Sequence, residues 1–177
     1  MAERPAFFLD RDGTLVADHG YPDDPAAMVP LPGVVEAMQL LRRAGFLLVL
    51  VSNQSAIGRG MLSVDRHLEI HAALARRLAS SEVELDGAYY CPHTPWASCK
   101  CRKPSPGLLQ AAVTDLGIDV KRSFMVGDRQ SDIGAGLALG CKTILLGNWD
   151  EREADSGYVF SDLLQAARSI LPRELGA

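Results

Sequence analysis

Asp10 and Asp12 stand two positions apart at the end of the apolar run Ala6–Leu9. Residues two apart on an extended segment point the same way, so the pair offers two carboxylates at one strand tip. Such a tip can supply a nucleophile, Asp10, beside an acid/base, Asp12, with a cation shared between them. Gly13 follows and lets the backbone turn sharply. Alone, Asp-x-Asp-Gly also fits a solvated acidic turn or a calcium loop, so its meaning depends on what the rest of the chain brings to it.

The second chemical group is Cys91, His93, Cys99 and Cys101. Two ligand pairs, Cys-x-His and Cys-x-Cys, flank a short loop with two prolines and a tryptophan. Four such ligands suit tetrahedral Zn²⁺ and leave no open position, which predicts a structural site. The competing reading is reduced cysteines with no metal. Arg102 and Lys103 follow the last ligand directly, so a metal would pin the loop that presents them. His67 and His71 are one helical turn apart, but they lack an intervening glutamate and a third ligand.

Three further stretches carry polar groups just past apolar runs. Ser52, Asn53, Gln54 and Ser55 can donate hydrogen bonds to a phosphoryl group, or can form an ordinary polar turn. Asp128 and Arg129 follow the run Ser123–Val126, and Ser131 or Asp132 can cap the next helix. Mg²⁺ prefers hard oxygen ligands, and Asp10 and Asp128 can supply them with the backbone carbonyl of Asp12. Ser52 and Lys103 can then hold phosphoryl oxygens as the group moves in line.

The elements that must position these groups alternate. Strands are expected at Ala6–Leu9, Phe46–Val51, Asp86–Cys91, Ser123–Val126 and Lys142–Leu146, with a short sixth at Val159–Phe160. Helical stripes begin at Pro32, after Ser63, at Ser105-Pro106-Gly107, at Ile133 and after Ser161-Asp162. The segment Val16–Pro25, rich in Pro and Gly, reads as a loop. Five βα units predict an α/β three-layer sandwich around a parallel Rossmann-like sheet, one domain over residues 1–177. No insertion is long enough for a separate cap domain. Cys141 stands alone and reads as a small core residue.

Composition narrows the class. The 177 residues are 47% apolar and 23% charged with a net charge of −4, which disfavours a nucleic-acid surface. No apolar run reaches bilayer length and no signal peptide is visible, so a cytoplasmic monomer with no membrane partner is expected.

The strings DRDGT, SNQS, RKP and GDRQSD, in that order, resemble the four motifs of the haloacid dehalogenase superfamily phosphatases. The resemblance covers nearly the whole chain. It implies that Asp10 is phosphorylated and that Asp12 protonates the leaving group and then activates water. The zinc pattern resembles a small bacterial subgroup that holds heptose 1,7-bisphosphate 7-phosphatases and histidinol-phosphate phosphatases. ADHGY, VSNQSAIGRG, DGAYYCPH and CRKPSPG look most like the heptose branch. The short span between His93 and Cys99 is common in the histidinol branch, and many heptose enzymes have Lys where this chain has Arg129. The heptose resemblance implies a small phosphorylated sugar as substrate, on a route to surface polysaccharide. It also implies substrate contacts at Asp18, His19, Gly20, Tyr21, Ser52, Asn53, Gln54, Ser55, Arg102, Lys103 and Arg129. A rival from another class is a zinc-stabilised binding module whose carboxylates are only caps.

Overall fold

The computed structural model describes residues 3–21, 23–149 and 157–176. Pro22, within the expected loop, and Met1 and Ala2 lie outside the described residues. Six parallel strands form one sheet in the order β3-β2-β1-β4-β5-β6. They are β1 Ala6–Leu9, β2 Leu47–Asn53, β3 Gly87–Cys91, β4 Phe124–Gly127, β5 Lys142–Leu146 and β6 Tyr158–Phe160. Among the described residues the α-helices are α1 Val34–Arg43, α2 Ser55–Gly58, α3 Val64–Ala79, α4 Gly107–Leu116, α5 Gln130–Leu139 and α6 Leu163–Leu175. No helix among the described residues is long and apolar enough to cross a membrane.

The strand residues explain the three layers. β1 is buried on both faces, because alternate side chains of a central strand enter different cores. Phe7 and Leu9 join α1, α3 and α6 on one face. Ala6 and Phe8 join α4 and α5 on the other. Phe7 stacks on Phe124 at 4.8 Å between centroids and meets the edge of Phe46 at 4.9 Å. Each buried Phe side chain contributes about 1.5–3 kcal/mol from apolar burial. The sheet therefore holds its C-terminal edge rigid, and the strand order reverses between β1 and β4, where open α/β sheets bind ligands.

Most expected elements are present, with informative shifts. β2 runs two residues beyond Val51, so Ser52 and Asn53 belong to the strand rather than to its turn. Asp86 lies just before β3 and accepts from Leu48 N–H (2.8 Å) and Arg42 (2.9 Å). Ser63 caps α3 by accepting from Arg66 N–H. The cap expected from Ser131 or Asp132 differs: α5 starts at Gln130, and Asp132 in its first turn accepts from Arg129 N–H at 3.1 Å. α6 continues past Ile170 and through Pro172. The short α2 and the 3₁₀ turn Pro25–Ala27 carry too few residues to show a period.

Candidate active site

Asp10 leaves β1 with its N–H bonded to the Val126 carbonyl of β4 at 3.0 Å, so its backbone is held by the sheet. Asp10 is only 7% exposed. Lys103, 3% exposed, reaches its carboxylate from the far side of β2, with Nζ–Oδ1 at 2.6 Å. The same ammonium lies 2.6 Å from Asp132 Oδ1 and donates to the Val51 carbonyl at 2.8 Å. Asn53 clamps the Lys103 backbone, accepting from its N–H at 3.0 Å and donating to its carbonyl at 3.1 Å. Asn53, expected among the substrate contacts, lines the cavity and also positions Lys103.

Charge balance follows from this packing. Burial pushes the Asp10 carboxyl up; Lys103 offsets part of that rise and Asp132 adds to it, leaving Asp10 at about 7. Burial pulls the Lys103 ammonium down, but Asp10 and Asp132 outweigh it, so its pKa is raised. Asp128 is also raised, by burial and by Asp132. One ammonium thus faces more negative charge than it neutralises, a setting that favours a further cation.

Asp10, Asp128 and Asp132 each present an oxygen within 4.8 Å of the others. Asp128 Oδ1 is buried and has no protein partner. Gly13 makes room for this group: its φ is +84°, and a Cβ there would strike the Asp128 carboxylate. Gly127 does the same for the Asp132 carboxylate. The Asp12 carboxylate is not one of the three. It turns toward Arg11, which donates to both of its oxygens at 3.0 and 2.9 Å, and toward Gln54, which donates at 3.0 Å. Any share of Asp12 in a cation site therefore falls to its backbone carbonyl.

A cavity of about 420 Å³ opens above these groups. Asp10, Asp12, Ser52 and Lys103 form its floor, and Asn53, Ser55 and Arg102 one wall. Asp18, Gly20, Tyr21 and Arg129 form the other wall. Asp18 accepts from Gly20 N–H at 2.8 Å and pairs with Arg129 at 2.5 Å. The Gly20 N–H and the Arg129 guanidinium hold the Asp18 carboxyl below its usual range. His19 is exposed and does not line the cavity, and Gln54 acts from behind Asp12 and Ser52. Arg59 stacks over Trp96 at 4.7 Å and Tyr21 at 5.8 Å, bridging the loops on either side of the mouth.

The three thiols and the imidazole of Cys91, His93, Cys99 and Cys101 converge as their spacing predicts. Cys91 Sγ lies 3.4 Å from His93 Nδ1, 3.7 Å from Cys99 Sγ and 3.3 Å from Cys101 Sγ. His93 Nδ1 lies 3.2 Å from Cys101 Sγ. Ligands about 2.3 Å from a tetrahedral centre lie roughly 3.8 Å apart, so the cluster has nearly the size that zinc needs. His67 and His71 do not join it. They sit on α3 beside Arg11, with His67 packed on Tyr90 at 4.2 Å.

Two site residues escape a reading by spacing alone, Arg11 and Asp132. Arg11 is 2% exposed although it lies between the two aspartates. A cation inside a strand exit between two acids is the only local signal for it. Asp132 had a sufficient explanation as a helix cap, and nothing local says that Lys103 lands on its other oxygen.

A sheet edge that joins a carboxylate pair, a buried lysine and a third acidic strand tip is the arrangement of the HAD-like hydrolases. The HAD-hydrolase-like family matches residues 100–166. Curated relatives named D-glycero-β-D-manno-heptose-1,7-bisphosphate 7-phosphatase match more of the chain. The Yersinia pestis protein is 39% identical, covering 98% of this chain and 96% of its own. The Pasteurella multocida protein is 45% identical over 149 residues, 81% of each chain. The crystal structure of the D,D-heptose 1,7-bisphosphate phosphatase from B. bronchiseptica, complexed with magnesium and phosphate, superposes with a TM-score of 0.85. It is 29% identical and covers 95% of this chain and 99% of its own. This chain belongs to the haloacid dehalogenase superfamily, in the family of phosphatases that these relatives form.

Proposed function

We propose that the chain is a Mg²⁺-dependent phosphatase that removes the 7-phosphate of D-glycero-D-manno-heptose 1,7-bisphosphate through a phosphorylated Asp10. The observation that carries this reading is the buried Asp10–Lys103–Asp132 triad, open to a polar cavity and flanked by a carboxylate with an unpartnered buried oxygen. That orphaned oxygen and the excess of negative charge fit a divalent cation held by Asp10, Asp128 and the Asp12 carbonyl. When bound, Mg²⁺ offsets repulsion between the carboxylate and the phosphate.

The chain's own residues supply the rest. Lys103 can exchange part of its hold on Asp10 for a phosphoryl oxygen, and Ser52 beside it can take another. Asp10 attacks phosphorus, the bond to the sugar oxygen breaks, and Asp12 gives that oxygen a proton. Water then attacks the phosphorus of the acyl phosphate while Asp12 takes its proton. Phosphate leaves and Asp10 is restored. Asp18 to Tyr21 and Arg129 fit the sugar end of the substrate. A cytoplasmic monomer of one domain, acting on a route to nucleotide-activated heptose for surface polysaccharide, completes the proposal.

Substrate choice rests on Arg102. Lys103 is committed to the transferred phosphate, whereas Arg102 lines the cavity and contacts protein through a long bond to the His93 carbonyl at 3.4 Å. A guanidinium fork suits bidentate capture of a second, unreacting phosphate. Histidinol phosphate would bring an amine and an imidazole, which an arginine repels when they are charged. Arg102→Ala is expected to lower kcat/KM for the bisphosphate by roughly ten- to a hundredfold, as for one lost charge-assisted contact. Hydrolysis of the corresponding monophosphate should barely change. Equal losses on both substrates would assign Arg102 to the loop or the reacting centre and remove this support for a bisphosphate.

The cysteine cluster supports a structural Zn²⁺ on Cys91, His93, Cys99 and Cys101. The ion would anchor the loop that ends in Arg102 and Lys103. Protein purified without added metal is expected to carry one zinc per chain by elemental analysis. Cys99→Ser should lose most of that zinc and, with it, activity. Fully active protein with metal content near zero would rule the site out.

A further inference from the structure

The Asp12 carboxylate does not sit free at the strand tip. Arg11 binds both of its oxygens, and the two side chains are 2% and 17% exposed. Gln54 closes the arrangement: its Oε1 accepts from Arg11 at 3.0 Å, and its Nε2 donates to Asp12 at 3.0 Å and to Ser52 Oγ at 2.7 Å. Four side chains from the ends of two neighbouring strands thus form one closed polar network.

The surroundings of Arg11 show what it is for. Asp12 is its one ion-pair partner among the described residues. Behind it lies a cavity of about 100 Å³ lined by His67, His71 and Tyr90. Burial, Arg11 and His71 hold His67 down at about 4, so a neutral ring faces the guanidinium. His67 Nδ1 has no partner there. A side chain wanted only for packing would be apolar, since buried ion pairs are often no more stabilising than hydrophobic residues of similar volume. What the guanidinium does achieve is a fixed plane and direction for one carboxylate.

We propose that Arg11 and Gln54 are positioning residues that hold Asp12 in the orientation from which it delivers its proton to the departing oxygen. The proposal rests on the reading of Asp12 as the acid. The two oxygens of an aspartate rotate about a single bond. A bidentate arginine and a glutamine restrict that rotation, and Asp12 lines the cavity beside Asp10. Gln54 also ties the setting of Asp12 to Ser52, so the acid and a phosphate-facing hydroxyl are adjusted together.

The test uses leaving groups, because a proton donor matters for an alkoxide and little for a nitrophenolate. kcat/KM reports steps through release of the leaving group, so it isolates the acid from later water attack. The variants are Arg11→Met, Gln54→Leu and, as reference, Asp12→Asn, each with a sugar phosphate and with p-nitrophenyl phosphate. The expected result for Arg11→Met is a fall of about a hundredfold on the sugar phosphate and a few-fold at most on the aryl phosphate. Gln54→Leu, which keeps the buried cation, should show the same selective loss at about tenfold, and it carries the test if Arg11→Met fails to fold. Equal losses on both substrates in a folded variant would mean a structural role and overturn the proposal. If Asp12→Asn discriminates between the substrates and the other two do not, Asp12 remains the acid and its positioning by Arg11 is refuted. If Asp12→Asn itself does not discriminate, the reading of Asp12 as acid falls, and the positioning role falls with it.

Discussion

Asp10→Asn should lower kcat by about 10⁴-fold or more, the scale of a lost nucleophile, while leaving the fold intact. Asparagine keeps the shape of the side chain, and Lys103 keeps Asp132 and the Val51 carbonyl as partners. The change also has a pH signature in cation-free protein. The Asp10 carboxyl is pushed from 3.8 up to about 7, first by burial. Between those values the folded state binds more protons than the unfolded state. The group's favourable contribution is therefore complete below 3.8 and is lost as pH rises through about 7. Asp10→Asn removes that dependence, so the variant should lose less stability than the parent between pH 5 and 8. Urea denaturation at the two pH values, beside a turnover assay, reads both effects. Near-normal turnover would end the nucleophile assignment.

Lys103→Met has the second largest expected effect, and it acts on stability and rate together. Among the described residues the ammonium is the only cation between Asp10 and Asp132, at 2.6 Å from each, and all three are buried. Removing one partner of a buried ion pair costs about 3–5 kcal/mol because the remaining charge is left uncompensated. Methionine fills similar space, so the loss reports charge rather than packing. Turnover should fall by about 10²–10³-fold or more, as for a lost electrostatic contact to the transferring group. Denaturation midpoints and kcat on the same preparation test it. A variant as stable as the parent would mean that the two carboxylates do not depend on Lys103.

The sequence conveyed the sheet well because its strands are short apolar runs with sharp ends. β1 is four buried residues followed at once by charge. The helices were legible where they are amphipathic, as in α1 and α3, and where a side chain caps them, as Ser63 and Asp162 do. Legibility failed where one residue does two things. Asp132 satisfies a backbone N–H and a buried ammonium with different oxygens, and the first role hides the second. Asn53 lines the cavity and also holds a backbone fifty residues away, and the second role has no local signal. Arg11 could not be placed because its partner is its neighbour, while its burial depends on α3 and β3. The convergence of Cys91, His93, Cys99 and Cys101 was legible from their spacing, because a metal site would constrain both residue type and reach.

In the proposed reaction the phosphate on C7 leaves and the phosphate on C1 stays. The most direct measurement is ³¹P NMR of D-glycero-D-manno-heptose 1,7-bisphosphate incubated with the protein and Mg²⁺. The C7 phosphate resonance is expected to disappear, inorganic phosphate to grow in equal amount, and the C1 phosphate resonance to persist. Loss of the C1 phosphate, or an untouched bisphosphate under conditions where histidinol phosphate is consumed, would contradict it.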